Sequence, residues 1–214
     1  MIENLEGDYM EEYIIVTDSS ADLPKSYLKE HNVTCVSLKY TIDGITYDND
    51  DDEAAATFYQ KVRNKSMPTT SQVNPDEAIE HFRKIVGISK NILCLVFSSG
   101  LSGTCNSFMM AARELMEEDE SINIRVVDTL SASMGQGLMV YKAVCLKEQG
   151  KSLNEVADYI EAHIKNFTQV FTVDDLDHLY RGGRLSKTAS VVGSMINLKP
   201  VLHINEEGRL ENMF

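Results

Sequence analysis

The chain has little that would tie it to nucleic acid, to a membrane or to an oxidising compartment. Its 20 lysines and arginines are outnumbered by 33 aspartates and glutamates, for a net charge of −13 at pH 7. That surplus repels phosphate backbones and anionic headgroups, so no nucleic-acid partner is expected and any anion must be recognised locally. Long hydrophobic runs are absent: the longest, Ile92 to Phe97, falls far short of the roughly 20 residues of a spanning helix. Stable membrane insertion is therefore not expected. No positive residue precedes Lys25, so residues 1–12 read as a loose acidic tail without the features of a signal or transit peptide, which points to a cytoplasmic protein. The four cysteines, Cys35, Cys94, Cys105 and Cys145, form no CxxC pair and have no nearby histidine ligands. They read as reduced thiols, with no disulfide framework and no metal site. Cys105, in the first turn of an expected helix, is the candidate for a lowered pKa.

What is present is an alternation of strand and helix signals. Tyr13 to Thr17 is a β-rich apolar run that ends in Asp18-Ser19-Ser20, and Asp22 and Pro24 signal a helix through His31. Val33 to Tyr40 reads as one strand, and Asp43-Gly44 as the turn of a hairpin. A helix is expected from about Glu53 to Lys65, and Asn74-Pro75 opens another. Asn91 to Phe97 is a continuous apolar strand of the kind covered on both faces. Phe108, Ala111, Ala112 and Leu115 then recur at helical spacing, Ile122 to Asp128 is a strand, and Met134 to Gln149 a helix. Ser152 caps a helix whose stripe is Leu153, Val156, Ile160, Ile164 and Phe167. The pattern predicts an α/β fold: a mostly parallel sheet with helices on both faces over residues 13–167, followed by an α+β second domain over 168–214. Ligands of such sheets sit beyond the carboxyl ends of the strands, where Asp18, Ser98 and Asp128 fall.

Two hydroxyl-rich segments carry the chemistry. Ser98-Ser99-Gly100-Leu101-Ser102-Gly103-Thr104 leaves the apolar strand and opens a helix; Pro68-Thr69-Thr70-Ser71-Gln72 lies between two helices. Hydroxyls, glycines and helix N-terminal amides together present several donors to one small anion. Ordinary turn and cap chemistry explains either segment alone, the second more readily, but the two together favour an oxyanion site. Other motifs are weaker. Gly100-Leu101-Ser102-Gly103 lacks the second spacer of the G-x-S-x-G elbow, which leaves a serine esterase or lipase using Ser102 as the alternative function, with His203 the best-placed base. Gly135-Gln136-Gly137 has Val140 where a dinucleotide-binding turn needs a small residue. Asp48, Asp50 and Asp52 imitate an EF-hand opening, but Glu53 and Tyr59 break it. Met109, Met110, Met134 and Met139 read as core filling before a lipid pocket. Arg181-Gly182-Gly183-Arg184 places two guanidiniums about a flexible turn, suited to a phosphate or an acidic partner surface.

These residues also resemble the DegV family of bacterial fatty-acid-binding proteins. The resemblance runs from Tyr13 through nearly the whole chain: Val16 to Pro24, Pro68 to Gln72, Ser98 to Thr104, Asp128 with Ser131-Ala132-Ser133, Gly182 to Leu185, and Asn197-Leu198-Lys199-Pro200. It implies two α/β domains with a long-chain fatty acid between them, no other cofactor, and a non-catalytic role as lipid-carrying subunit of a two-component fatty acid kinase. The carboxylate is then held by Thr70, Ser71, Ser98, Ser99, Ser102 and Gly103, and a separate ATP-binding kinase subunit converts it to an acyl phosphate. Arg181 and Arg184 become candidates for docking that kinase. Val73 and Cys105 depart from the proline and the aromatic residue usual in the family. Family chains run past residue 214, so the second domain is expected to be incomplete here.

Overall fold

A computed structural model describes residues 12–48, 54–174, 176–185 and 199–213. Most of the acidic tail, the acidic run with Asp50, Asp52 and Glu53, and Asn197 and Leu198 lie outside the described residues. In chain order the elements are β1 (Ile14–Asp18), α1 (Lys25–Glu30), β2 (Val33–Val36), β3 (Lys39–Ile42), β4 (Ile45–Asp48), α2 (Ala54–Arg63), β5 (Thr69–Ser71), α3 (Pro75–Val86), β6 (Asn91–Val96), α4 (Thr104–Glu118), β7 (Asn123–Asp128), α5 (Ser133–Glu148), α6 (Leu153–His163), β8 (Val170–Phe171), α7 (Asp177–Arg181), β9 (Leu202–Ile204) and β10 (Leu210–Asn212).

The expected parallel sheet forms, in the order β2-β1-β6-β7. Period-two alternation sends successive side chains to opposite faces, and both faces are covered. Val16, Cys94 and Val96 pack with Phe82 of α3 and with Phe108, Ala111 and Leu115 of α4. Ile15, Leu93, Leu95 and Val127 pack with Met139, Val140 and Val144 of α5 and Leu153, Val156 and Ile160 of α6. Helix starts are set as the sequence indicates. Asn74 and Glu77 exchange hydrogen bonds at the head of α3, as Ser152 and Glu155 do at the head of α6, each pair a reciprocal cap.

Two elements depart from the sequence reading. The strand expected over 33–40 is two strands: Leu38 N–H donates to Ser19 Oγ at 2.9 Å, and beyond this point the chain leaves the parallel sheet. β3 joins an antiparallel sheet of order β4-β3-β5, with Asp43 and Gly44 at φ of 53° and 79° in its hairpin turn. Thr69–Ser71, read as part of a loop, is the edge strand β5, paired with β3 through Lys39–Thr41. Its three residues are all exposed, so no apolar alternation marked them. The segment after Thr168 adds nothing to the parallel sheet among the described residues. It forms an antiparallel sheet of order β10-β9-β8 with its own small core of Leu176, Leu185 and Leu202.

A buried carboxylate ties the sheet to its loops. Asp18, at the end of β1, is fully buried. Its Oδ1 accepts from the Ser20 N–H (3.0 Å) and hydroxyl (2.5 Å), and its Oδ2 from the Phe97 N–H (2.8 Å) and Gln136 Nε2 (3.2 Å). An ionised carboxylate only accepts, so this ring of donors is its complement. Burial pushes the carboxyl above its ordinary value, and the hydrogen bonds, led by the Ser20 hydroxyl, pull the other way. The exits of β1 and β6 and the first turn of α5 are thereby joined at one point. Asp18→Ala leaves these buried donors without an acceptor and is expected to lower the unfolding free energy by about 3 kcal/mol. Asp18→Asn, which keeps one acceptor oxygen, should fall between. Urea unfolding followed by circular dichroism checks this, and a midpoint for Asp18→Ala equal to wild type would contradict it.

Candidate functional site

The strand order reverses direction between β1 and β6: the chain first steps outward to β2, then returns to the other side of β1. Such a switch point opens a crevice beyond the carboxyl ends of the two strands. Asp18 and the Ser98 loop flank it. The loop is built from its own hydrogen bonds. The Ser98 carbonyl accepts from the N–H groups of Leu101 (3.0 Å) and Ser102 (3.1 Å), and the Ser98 N–H donates to the Ser131 carbonyl at 3.0 Å. Asp128 Oδ1 accepts from the N–H groups of Ser99 (3.1 Å) and Leu130 (3.0 Å). The Ser98 hydroxyl is buried; it donates to the Gly208 carbonyl at 2.7 Å and accepts from the Gly100 N–H at 3.2 Å.

Many donors that the sequence offered to an anion are therefore engaged in shaping the loop. The remaining groups cluster a few residues later. Ser102 Oγ lies 3.0 Å from Thr104 Oγ1 and accepts from the Thr104 N–H at 3.2 Å, which caps one of the amides that open α4. The other amides of that first turn have no intrahelical acceptor by the geometry of a helix start. Ser99 is exposed, and Ser102 and Gly103 are half-buried.

The two hydroxyl-rich segments meet here. Thr104 Oγ1 accepts from the Val73 N–H at 3.3 Å. The Gln72 side chain rests on Gly103, where an added Cβ would lie 2.8 Å from Gln72 Cδ and 2.9 Å from Nε2. Gln72 and Val73 thus meet Gly103 and Thr104, with Thr70 and Ser71 exposed on the adjoining strand β5. The two arginines of the glycine turn separate. Arg184 turns back to the loop, its Nε donating to the Leu101 carbonyl at 3.0 Å, while Arg181 approaches Met67 Sδ (3.1 Å) and Asp177 (3.3 Å).

The described residues line two cavities, of which the polar one reaches this junction through Ser71, Gln72 and Val73. One of about 230 Å³ is polar and includes Ser71, Gln72, Lys39, Glu77 and His81 in its wall. The other, about 660 Å³, runs between α2 and α7; Tyr59, Val62, Met67 and Val173 supply apolar surface, and Arg63, Lys65, Asp174, Asp177, His178 and Arg181 also line it. Burial pushes the Cys105 thiol up to about 12, so the lowered pKa expected at this helix start does not occur. No histidine hydrogen-bonds Ser102 among the described residues: His31 pairs with Glu148, His163 with the Tyr159 carbonyl, His203 lies 3.5 Å from Glu211, His81 lines the polar cavity and His178 the larger cleft. Gln136, passed over in the sequence as part of a weak glycine motif, is fully buried and binds Thr17 Oγ1 at 3.1 Å as well as Asp18. Its signal was present: an amide three and four residues before Met139 and Val140, on the inner face of α5.

A family model described as "Uncharacterised protein, DegV family" matches residues 12–213. The DegV domain-containing protein CPE0026 of Clostridium perfringens is 45% identical over 205 residues, which cover 95% of this chain and 70% of that protein. Among solved structures, a fatty-acid-binding DegV family protein from Thermus thermophilus superposes with a TM-score of 0.83 at 35% identity, covering 94% of this chain and 70% of that one. A stearic-acid-binding protein from Eubacterium ventriosum gives a TM-score of 0.82 at 29% identity, covering 94% and 69%. With a match that extends across the parallel sheet, the hydroxyl-rich surface and the antiparallel sheet alike, the chain belongs to the DegV family.

Proposed function

We propose that this chain carries a long-chain fatty acid and presents its carboxylate to a separate kinase subunit for conversion to an acyl phosphate. The observation that carries the reading is the junction of Gln72 and Val73 with Gly103 and Thr104, which brings the two hydroxyl-rich segments together; a cleft lined in part by Met67, just before the first segment, offers room for a tail. The cleft of about 660 Å³ falls in the range of roughly 300–1,000 Å³ usual for small-molecule sites, whereas the polar cavity of about 230 Å³ is too small. The Thermus and Eubacterium relatives, described as fatty-acid binding, support the same ligand class.

In this reading the acyl tail enters the cleft between α2 and α7, and the head group stays at the junction. Burial is worth about 0.8 kcal/mol per CH₂, so a tail of about sixteen carbons carries roughly 12 kcal/mol before ordering costs. Hydroxyl and amide hydrogen bonds contribute only about 1 kcal/mol each, net. The tail sets affinity; Thr70, Ser71, Ser99, Ser102 and the Gly103 amide set position. Ser98, with its hydroxyl on Gly208, acts by holding the loop. Arg184, anchored to the Leu101 carbonyl, adds positive charge at the rim, where the partner kinase would dock. In the transfer itself a carboxylate oxygen bonds to the γ-phosphorus of ATP as the bond to the bridging oxygen breaks and ADP leaves, a reaction that depends on an oriented nucleophile. The esterase alternative is disfavoured: Ser102 Oγ is hydrogen-bonded to Thr104, and no imidazole hydrogen-bonds it among the described residues.

Ser102→Ala or Thr70→Val is expected to lower acyl phosphate formation by about tenfold or more, while palmitate uptake changes by less than about threefold. Uptake measured by equilibrium dialysis and acyl phosphate trapped as the hydroxamate check this, and equal effects on both would count against the division of labour. Arg184→Ala should weaken association with the kinase subunit without emptying the cleft. A pull-down that retains the kinase at wild-type yield would remove that role. Val62→Asp, which places a charge in the cleft, should reduce the fatty acid recovered by solvent extraction several-fold, as mass spectrometry reads it; undiminished recovery would move the tail elsewhere.

A further inference from the structure

The turn between β9 and β10 is a rigid projection. Asn205 organises it: its N–H donates to the Arg209 carbonyl (2.9 Å), its carbonyl accepts from the Gly208 N–H (3.0 Å), and its Oδ1 accepts from the N–H groups of Glu207 (3.0 Å) and Arg209 (2.9 Å). Glu206, Glu207 and Arg209 of this turn are exposed, but Gly208 is not. Gly208, at φ +73°, is buried against the loop that leaves β6. A Cβ on Gly100 would lie 2.6 Å from the Glu207 carbonyl oxygen and 2.8 Å from the carbonyl carbon and oxygen of Gly208, all backbone atoms, so the turn would have to shift. On its other side the tip is closed by Leu130, whose Cδ2 and Cα would lie 3.1 and 3.2 Å from a Cβ on Gly208.

One hydrogen bond links this contact to the ligand surface. The Gly208 carbonyl accepts from Ser98 Oγ at 2.7 Å, and the Ser98 carbonyl in turn accepts from the N–H groups of Leu101 and Ser102 at 3.0 and 3.1 Å. Gly208, Ser98 and Ser102 are thus three successive links between the antiparallel sheet and the hydroxyl proposed to touch the carboxylate. Ser98 is fully buried, so no solvent competes for its hydroxyl.

The geometry points to the 205–209 turn as the element that sets the head-group site from the other sheet, with Gly208, Gly100 and Ser98 as positioning residues. Thr104 and Asp128 restrain the Ser102 loop from the α/β core, and the turn of the second sheet adds a further restraint through Gly208 and Ser98. A bound lipid whose head group contacts Ser102 then favours the seated turn, and the seated turn favours the oriented head group, as linkage requires. This inference rests on the reading of Ser102 as a head-group ligand.

Gly100 gives the cleanest test, because its own backbone is not in the left-handed region and an added methyl acts only on the turn. In Gly100→Ala, the Leu101 and Ser102 amides are expected to exchange hydrogen about tenfold faster or more, while the amides of β1 and β6 keep their rates. The carboxyl carbon resonance of bound, carboxyl-labelled palmitate should move toward its position in Ser102→Ala. Ser98→Ala, which removes only the hydroxyl, should give the same changes in smaller measure, and it decides the question if Gly100→Ala does not fold. Unchanged exchange at Leu101 and Ser102 overturns the positioning role, and so does equal acceleration throughout β1 and β6, which would mark general loosening. A palmitate resonance identical in wild type and Ser102→Ala overturns the head-group reading instead, and the exchange data then still judge the link from Gly208 to Ser102.

Discussion

The structure depends on one junction, where the backbone N–H of Val73 meets the hydroxyl of Thr104 and the Gln72 side chain lies on Gly103. Without it, the two hydroxyl-rich segments belong to different sheets and have no common purpose. β5 is an exposed edge strand of the small antiparallel sheet, and Ser98 to Thr104 is the exit of a central strand of the parallel one. The junction makes them one surface at the topological switch point, which is where an open α/β sheet offers its crevice. An acidic chain needs such a local arrangement to hold an anion, because its long-range field works against one.

Hydrogen-bond satisfaction decides which residues of that surface are available. Buried polar groups must be paired, so most amides between Ser98 and Ser102 are engaged inside the loop, on the Ser98 carbonyl and hydroxyl and on Asp128. The groups left for a ligand are the hydroxyls at the loop's end and the first-turn amides of α4. Asp18 plays the corresponding part beneath the surface, gathering donors from β1, β6 and α5 so that the strand ends cannot separate. The proposed site is a thin layer of hydroxyls and first-turn amides on a hydrogen-bonded frame.

The parallel sheet was legible in the sequence because its strands are buried on both faces and its helices carry regular stripes. Asn91–Val96, the Phe108 to Leu115 spacing and the Ser152 cap needed no tertiary information. The division of the 33–40 run was not legible, since Val, Cys, Leu and Tyr suit a strand on either side of Ser37-Leu38 and the turn is imposed by a distant Ser19 hydroxyl. Nor was β5, whose exposed hydroxyl residues carry no alternation. At the proposed site the hydroxyl residues were legible, but not which of them the protein itself occupies. That Ser98 turns to Gly208 depends on a contact 110 residues away in sequence, and the rise of the Cys105 thiol depends on packing that outweighs its place at a helix start.

The most direct measurement is a crystal structure of the chain with a long-chain fatty acid bound. The account predicts a carboxylate within hydrogen-bonding distance of the Thr70 and Ser102 hydroxyls, with the tail lying between α2 and α7. A carboxylate seated in the polar cavity beside Lys39 and His81, or a tail running away from Val62 and Val173, would contradict it.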